Sequence, residues 1–263
     1  MTSTPTTRRQ DFDAAGFLNV GPLLTPNEVA AYQSIYDRFL DGSIHAGDKR
    51  SDLGAGAGIK PATARENITQ IMWPSALHPE LLDLPLHARA LAVARELVGE
   101  DMVLDFDMLI DKAPHTGVPT PWHQDAGYWV DLPDKRAASI WVALDEATLD
   151  NGCMWYVHGS HLTPLRPHWP AGSGKGAIEC ACSEDEPGAT YVPLAPGQAA
   201  AHAGHTLHYS RGNTTDSHRR AYILNYRSQA MIQLEREQGM DHGLTNNERL
   251  VRNQAVSRQD VAQ

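Results

Sequence analysis

The chain has 263 residues, 41% of them apolar, and sets 22 Lys and Arg against 32 Asp and Glu for a net charge of −10. That balance excludes the basic, phosphate-seeking surface of a nucleic-acid binder. No apolar run approaches the roughly 20 residues that cross a bilayer, so no membrane partner is expected.

Residues 1–10, rich in Thr and Ser, read as a disordered lead with no secretory apolar stretch after it. Asp11 to Val20 reads as a short helix and first strand. Thr25-Pro26-Asn27-Glu28 is a helix start, with Thr as N-cap, Pro at the first position and Glu three residues past the cap. The helix is expected to reach Leu40, with Val29, Tyr32, Ile35, Tyr36 and Leu40 on one apolar face. Residues 41–64 read as a loop. Its Gly54-Ala-Gly56-Ala-Gly58 lacks the preceding strand and following helix of a dinucleotide site. His87 to Leu97 is a second helix ending near Gly99.

Short runs then follow, separated by turn residues: Met102–Ile110, Trp122–Trp129, Ser139–Leu144, Cys153–Val157, Ala189–Val192, Ala199–Ala203 and Arg220–Arg227. Many short strands without intervening helices argue for a mainly β protein with flanking helices, an antiparallel sandwich or jelly roll. Gly172-Ser-Gly174-Lys175-Gly176 fails as a Walker loop, because Trp169 and Gly176 stand where Gly and Ser or Thr are needed. A single domain over 1–263 is expected, with a helical part over about 11–100, a core over about 101–230 and a tail from 231. Cys153, Cys180 and Cys182 make no disulfide framework, which fits reduced thiols and a cytoplasmic home.

The chemistry gathers in Pro121-Trp122-His123-Gln124-Asp125-Ala126-Gly127-Tyr128-Trp129 and in Leu207-His208-Tyr209-Ser210. On a strand, residues two apart face one side, so His123 and Asp125 offer a nitrogen and an oxygen to one point. His208 is the best candidate for a third ligand, with His202 and His205 as rivals. Two histidines and a carboxylate on one face of an ion leave the other face open, the arrangement of non-heme Fe(II) oxygenases. A solvated strand edge also carries such a His-x-Asp pair. The remaining histidines, His115, His158, His161, His168, His218 and His242, default to solvated or core roles.

Four blocks carry a resemblance to a known family: Met108-Leu-Ile-Asp-Lys-Ala-Pro114; Trp122-His-Gln-Asp-Ala-Gly-Tyr128; Trp141 through Asn151-Gly152 to Gly159-Ser160-His161; and His208-Tyr-Ser210-Arg-Gly-Asn213 followed by Arg219. In this order they resemble the phytanoyl-CoA dioxygenase family of Fe(II)/2-oxoglutarate oxygenases. The resemblance implies a double-stranded β-helix, a cupin-like jelly roll, in which His123, Asp125 and His208 hold iron. It also implies that Arg219 grips the distal carboxylate of 2-oxoglutarate, as a planar guanidinium does bidentately. Ser210 would assist it, Met108 and Trp141 would line the cosubstrate pocket, and Gln70 would replace a family lysine. Adjacent Arg219 and Arg220 must face opposite ways on a strand, and register favours Arg219 as the inward one. Tyr209 and His158 depart from the family Gly and Pro, which puts the substrate pocket in doubt. Trp122 and Trp129 flank the ligand segment, and either could face substrate or simply pack.

The resulting expectation is an Fe(II)/2-oxoglutarate-dependent dioxygenase that uses O2 to hydroxylate or otherwise oxidise a small organic molecule, releasing succinate and CO2. Amino-acid derivatives and secondary metabolites are candidate substrates. No basic cluster suggests a CoA phosphate site, although Lys60, Arg65, Arg166 and Lys175 could meet an anionic substrate. Halogenases of related fold carry a small residue in place of Asp125, so the carboxylate argues for hydroxylation, desaturation or ring chemistry. Two rival readings are a jelly-roll protein that binds metal or a small ligand without turnover and a zinc hydrolase, which would need a general base beside the metal. Specificity is expected from loops 43–66 and 161–190. The substrate and the oligomeric state stay open.

Overall fold

The computed structural model describes residues 5–54, 66–171 and 177–245. The glycine-rich segments at 55–65 and 172–176, with Lys60, Arg65 and Lys175, and the tail from Asn246 lie outside the described residues.

Helix α1 (Pro5–Ala15) begins inside the lead expected to be disordered, and strand β1 (Phe17–Pro22) follows it directly. Helix α2 (Pro26–Leu40) starts as its sequence dictates: Glu28 N donates to the Thr25 hydroxyl, and Thr25 N donates to the Glu28 carboxylate, closing the capping box. Its buried face is Val29, Tyr32, Tyr36 and Phe39, so Phe39 takes the place expected for Leu40. Strands β2 (Arg50–Asp52) and β3 (Ile68–Met72) come next, then two single turns, α3 (Pro74–Leu77) and α4 (Glu80–Asp83), and α5 (Pro85–Leu97). The N-terminal part is therefore not only helical.

The remaining elements are β4 (Met102–Lys112), β5 (Thr120–His123), β6 (Ala137–Ala143), β7 (Met154–Val157), β8 (His168–Pro170), β9 (Ile178–Cys180), β10 (Ala189–Val192), β11 (Gln198–His202), β12 (His208–Ser210), β13 (Arg219–Ser228) and α6 (Gln229–Glu237). Two antiparallel sheets form: a larger one in the order β1-β11-β6-β13-β4-β3-β2, and a smaller one in the order β10-β7-β12-β5. This is the expected jelly roll. The β8–β9 ribbon occupies part of the region expected to be irregular.

Strand alternation sorts the larger sheet's side chains into two cores. Ile140, Val142, Ala201, Tyr222 and Leu224 face outward and pack with the apolar faces of α2 and α5. Trp141, Ala200, Ala221 and Ile223 face inward and meet Met154, Tyr156 and Val192 of the smaller sheet. Arg219 follows the inward set. Arg220 points outward and forms ion pairs with Asp145 and Asp37.

Under α5, His87 Nε2 lies 2.9 Å from the Tyr222 hydroxyl, which donates to Asp107 Oδ2 at 2.6 Å. Burial pushes the His87 pKa down from 6.5 to about 4. Because the folded value is the depressed one, this group's stabilisation is present above pH 6.5 and is lost as the pH falls toward 4, an effect of roughly 3 kcal/mol. Asp107, raised to about 6 by burial, changes stability the other way over the same window in both proteins, so denaturant unfolding at pH 7.5 and 4.5 should show a less favourable change in the wild type than in His87→Gln. Equal changes would exclude His87 as the source.

Candidate active site

The smaller sheet brings the ligand segments together, because β12 and β5 pair with His208 directly opposite His123. β5 ends at His123, so Asp125 does not lie on a strand as expected; it opens a 3-10 turn, Asp125–Gly127. Gln124 between them is still extended, at φ −123° and ψ 131°, so the two-residue alternation carries through and both side chains reach the same side. Gln124 itself points the other way. It is fully buried, donates to the His205 carbonyl at 2.7 Å, accepts from Arg166 N at 2.9 Å, and its own N–H donates to His168 Nε2 at 3.0 Å. His168 and His205 thus brace the segment from behind, and the Arg166 guanidinium is held by Glu186.

His123 Nε2 lies 3.7 Å and His208 Nε2 3.4 Å from Asp125 Oδ1. One donor atom from each residue fits within 4.8 Å of the others. Donors about 2.1 Å from one ion at right angles lie about 3.0 Å apart, so the cluster is near coordinating distance. Both ring Nδ1 atoms face backbone carbonyls at 2.8 Å, His123 to Pro121 and His208 to Thr206. This fixes the tautomer that leaves Nε2 free to bind. Burial, followed by the neighbouring His208, pushes the His123 pKa down to about 3 and keeps the ring neutral. Burial opposes the Asp125 carboxylate, but His208 and His202 outweigh it and hold its pKa well below the ordinary range. The residues suit a divalent cation with nitrogen and oxygen ligands.

The cavity beside this cluster runs inward to Arg219 and is about 160 Å³ in volume. Met108, Trp141, Ser210 and Gln70 all line it. Arg219 is 1% exposed, and its Nε and Nη1 have no hydrogen-bond partner; its guanidinium lies 5.3 Å from the Trp141 ring centre. Gln70 Oε1 is similarly unpartnered, while its amide donates to Met108 Sδ at 3.1 Å. Burial lowers the Arg219 pKa to about 10, which leaves it charged at neutral pH. A buried cation with two idle donors is costly unless an anion completes it, and the space in front of it is the cavity. Lys112, across the β13–β4 register from Arg219, is consumed differently: its Nζ donates to the carbonyls of Val118, Ser210 and Arg211, which pins the end of β12.

Toward solvent the cavity is bounded by Leu53, Met72, Phe106, Tyr128 and Trp129 on one part and by Met240–Gly243 on another. That last stretch lies beyond the jelly-roll core and is missed from sequence. It is anchored by a buried cluster in which Arg227 and Arg236 pair with Asp105 and Glu235, and His242 joins both carboxylates. Asp105, Glu235 and His242 also have metal-like spacing, but two guanidiniums already occupy the carboxylates. Burial opposes a charge on His242, yet Asp105 and Glu235 raise its pKa, so the cluster is an ion-pair network. His242 and Trp73 both have left-handed backbones, at φ 52° and 57°, and the Trp73 indole donates to the His242 carbonyl at 3.1 Å.

The departures expected to disturb the pocket fall elsewhere. Tyr209 stacks on Trp122 at 5.0 Å on the far side of the smaller sheet, and His158 is exposed. Trp129 lines the cavity and Trp122 packs.

The chain matches the phytanoyl-CoA dioxygenase (PhyH) family over residues 12–221. It belongs to that family. Among curated relatives, it is 32% identical over 139 residues to phytanoyl-CoA dioxygenase domain-containing protein 1 of Bos taurus, covering 51% of this chain and 48% of that protein. It is 26% identical over 159 residues to ectoine dioxygenase of Streptomyces anulatus, covering 59% and 51%. The chain therefore spans about half the length of these curated relatives. Among solved structures, EvdO2 from Micromonospora carbonacea var. aurantiaca, complexed with 2-oxoglutarate, superposes with a TM-score of 0.70 at 30% identity, covering 86% of this chain and 92% of EvdO2. The nogalamycin epimerase SnoN, in complex with Fe3+, α-ketoglutarate and nogalamycin RO, superposes with a TM-score of 0.68 at 25% identity, covering 85% and 83%. The PhyH family uses Fe(II), 2-oxoglutarate and O2. No helix among the described residues is long and apolar enough to cross a membrane.

Proposed function

We propose that this PhyH-family protein is an Fe(II)/2-oxoglutarate-dependent oxygenase that hydroxylates or otherwise oxidises a small organic molecule. The observation that carries this reading is one cavity with the His123, Asp125 and His208 donors on its wall and the unpartnered guanidinium of Arg219 at its inner end. A protein that only stored a metal or small ligand would have no use for that second feature.

In this reading His123, Asp125 and His208 hold the iron. Arg219, with Ser210 and Gln70, receives the distal carboxylate of 2-oxoglutarate, and Met108 and Trp141 confine its chain. Iron and 2-oxoglutarate together supply the oxidising equivalent drawn from O2, with succinate and CO2 as co-products. The protein supplies placement and dryness: Trp141, Met154 and Ile223 exclude water along the inner wall, and Phe106, Trp129 and Met72 offer an apolar face to substrate. SnoN is an epimerase, so this fold hosts outcomes other than hydroxylation.

Anaerobic addition of Fe(II) and then 2-oxoglutarate to the purified apoprotein tests the reading. The expected result is the weak visible charge-transfer band of an iron-bound keto acid, followed by succinate release when O2 and substrate are supplied. Bound iron with no band on adding 2-oxoglutarate would overturn it.

A further inference from the structure

His202, a rival for the third ligand from sequence alone, has both ring nitrogens engaged. Nε2 lies 3.2 Å from Asp125 Oδ2, and Nδ1 lies 3.4 Å from the Tyr156 hydroxyl. A carboxylate oxygen can only accept, so Nε2 carries the proton and Nδ1 accepts from Tyr156. The same Oδ2 accepts a second bond, 2.8 Å, from the Ser139 hydroxyl, and the Asn225 amide donates to that hydroxyl at 2.7 Å. These partners are not scattered. In the larger sheet Ser139 on β6 is flanked in register by His202 on β11 and Asn225 on β13. All three side chains are buried, and they form one row on the sheet's inner face.

Asp125 Oδ1 has the opposite surroundings: it faces Nε2 of His123 and of His208. The carboxylate is therefore divided, one oxygen to the larger sheet and the other to the ion. We propose that His202 is a positioning residue that, with the Ser139–Asn225 pair, confines Asp125 to one-oxygen ligation. The inference rests on the metal assignment above. A carboxylate free to bind through both oxygens would take a further coordination position, which a two-point keto acid and O2 both need. His202 also shapes the outer ligand sphere without binding, because neither nitrogen is free.

The test compares His202→Phe, which keeps a planar ring but no donor, with His202→Gln, which keeps an N–H donor, in the full chain. The readouts are Fe(II) affinity in anaerobic titration and the position and strength of the 2-oxoglutarate charge-transfer band. His202→Phe should weaken Fe(II) binding about 10- to 100-fold, the usual cost of removing a partner of a metal ligand, and should shift or weaken the band. His202→Gln should recover most of both and keep the 2-oxoglutarate concentration for half-saturation of iron-loaded protein near wild type, because it retains a donor to Asp125 Oδ2 and leaves Arg219 untouched. If His202→Phe does not fold, Ser139→Ala removes the other donor to Oδ2 and should move affinity and band in the same direction.

Wild-type affinity and band in the variant that folds would overturn the proposal. So would loss of metal as complete as in His208→Ala, which would make His202 a ligand. A wild type that binds Fe(II) but gives no band refutes the oxygenase reading alone, while the affinity comparison still decides the role of His202.

Discussion

Replacing Arg219 with alanine is expected to raise the 2-oxoglutarate requirement roughly 100-fold or more, while leaving iron binding near its wild-type level. Truncating one partner of a buried charged hydrogen-bonded pair costs roughly 2–5 kcal/mol, at about 1.4 kcal/mol per tenfold. Lysine should rescue only in part, because one ammonium cannot present the two parallel donors of a guanidinium. The same residue should act on stability in the opposite direction. Without cosubstrate, Arg219 is a buried cation with Nε and Nη1 unpartnered, so the apo form carries an unmatched desolvation cost. Arg219→Met, which refills the space with apolar atoms, is expected to melt higher than the wild-type apoprotein and to gain nothing from 2-oxoglutarate. The metal-loaded wild type should gain about 2.7 kcal/mol at 100 times its dissociation constant. Melting curves with and without 2-oxoglutarate check both halves. A variant still stabilised by the cosubstrate would remove Arg219 from the anchor.

Asp125→Ala should abolish turnover by releasing the iron. It removes the only anionic donor of the cluster, and it also deprives His202 and Ser139 of the acceptor they share. Loss of Fe(II) affinity by roughly two orders of magnitude or more is expected from the lost ligand bond, while the two orphaned buried donors lower the stability of the fold. Metal analysis after desalting, beside a thermal melt to show that the fold persists, would read this directly. Iron retained at wild-type stoichiometry would take Asp125 out of the ligand set.

What sequence could reveal here was whatever local periodicity encodes. The capping box of Thr25 and Glu28, the alternation that sends Arg219 inward and Arg220 outward, and the two-residue step from His123 to Asp125 all depend on near neighbours. Asp125 reached the expected place although its residue lies in a turn, because extended Gln124 carried the alternation one step past the strand. β3 gave no such signal: Ile68–Met72 is buried on both faces and so does not alternate. Helix α1 was hidden by a Thr-rich composition that resembles a disordered lead. The support for Asp125 could not be read, because Ser139, His202 and Asn225 meet only through the cross-strand register of three strands far apart in sequence. The contribution of Met240–Gly243 to the cavity was invisible for a related reason: it depends on Arg227, Arg236 and His242 finding Asp105 across the fold.

That last arrangement separates foundation from furnishing. Asp105, Arg227, Glu235 and Arg236 hold the segment after α6 by buried ion pairs, and Asp241 caps its turn by accepting from the backbone of Gly243 and Leu244. None of these contacts uses the Met240 side chain, which lines the cavity. The outer wall is therefore an exchangeable panel on a fixed frame: substitutions at Met240 can reshape what the cavity admits while the backbone course, the donor cluster and the cosubstrate end stay as they are.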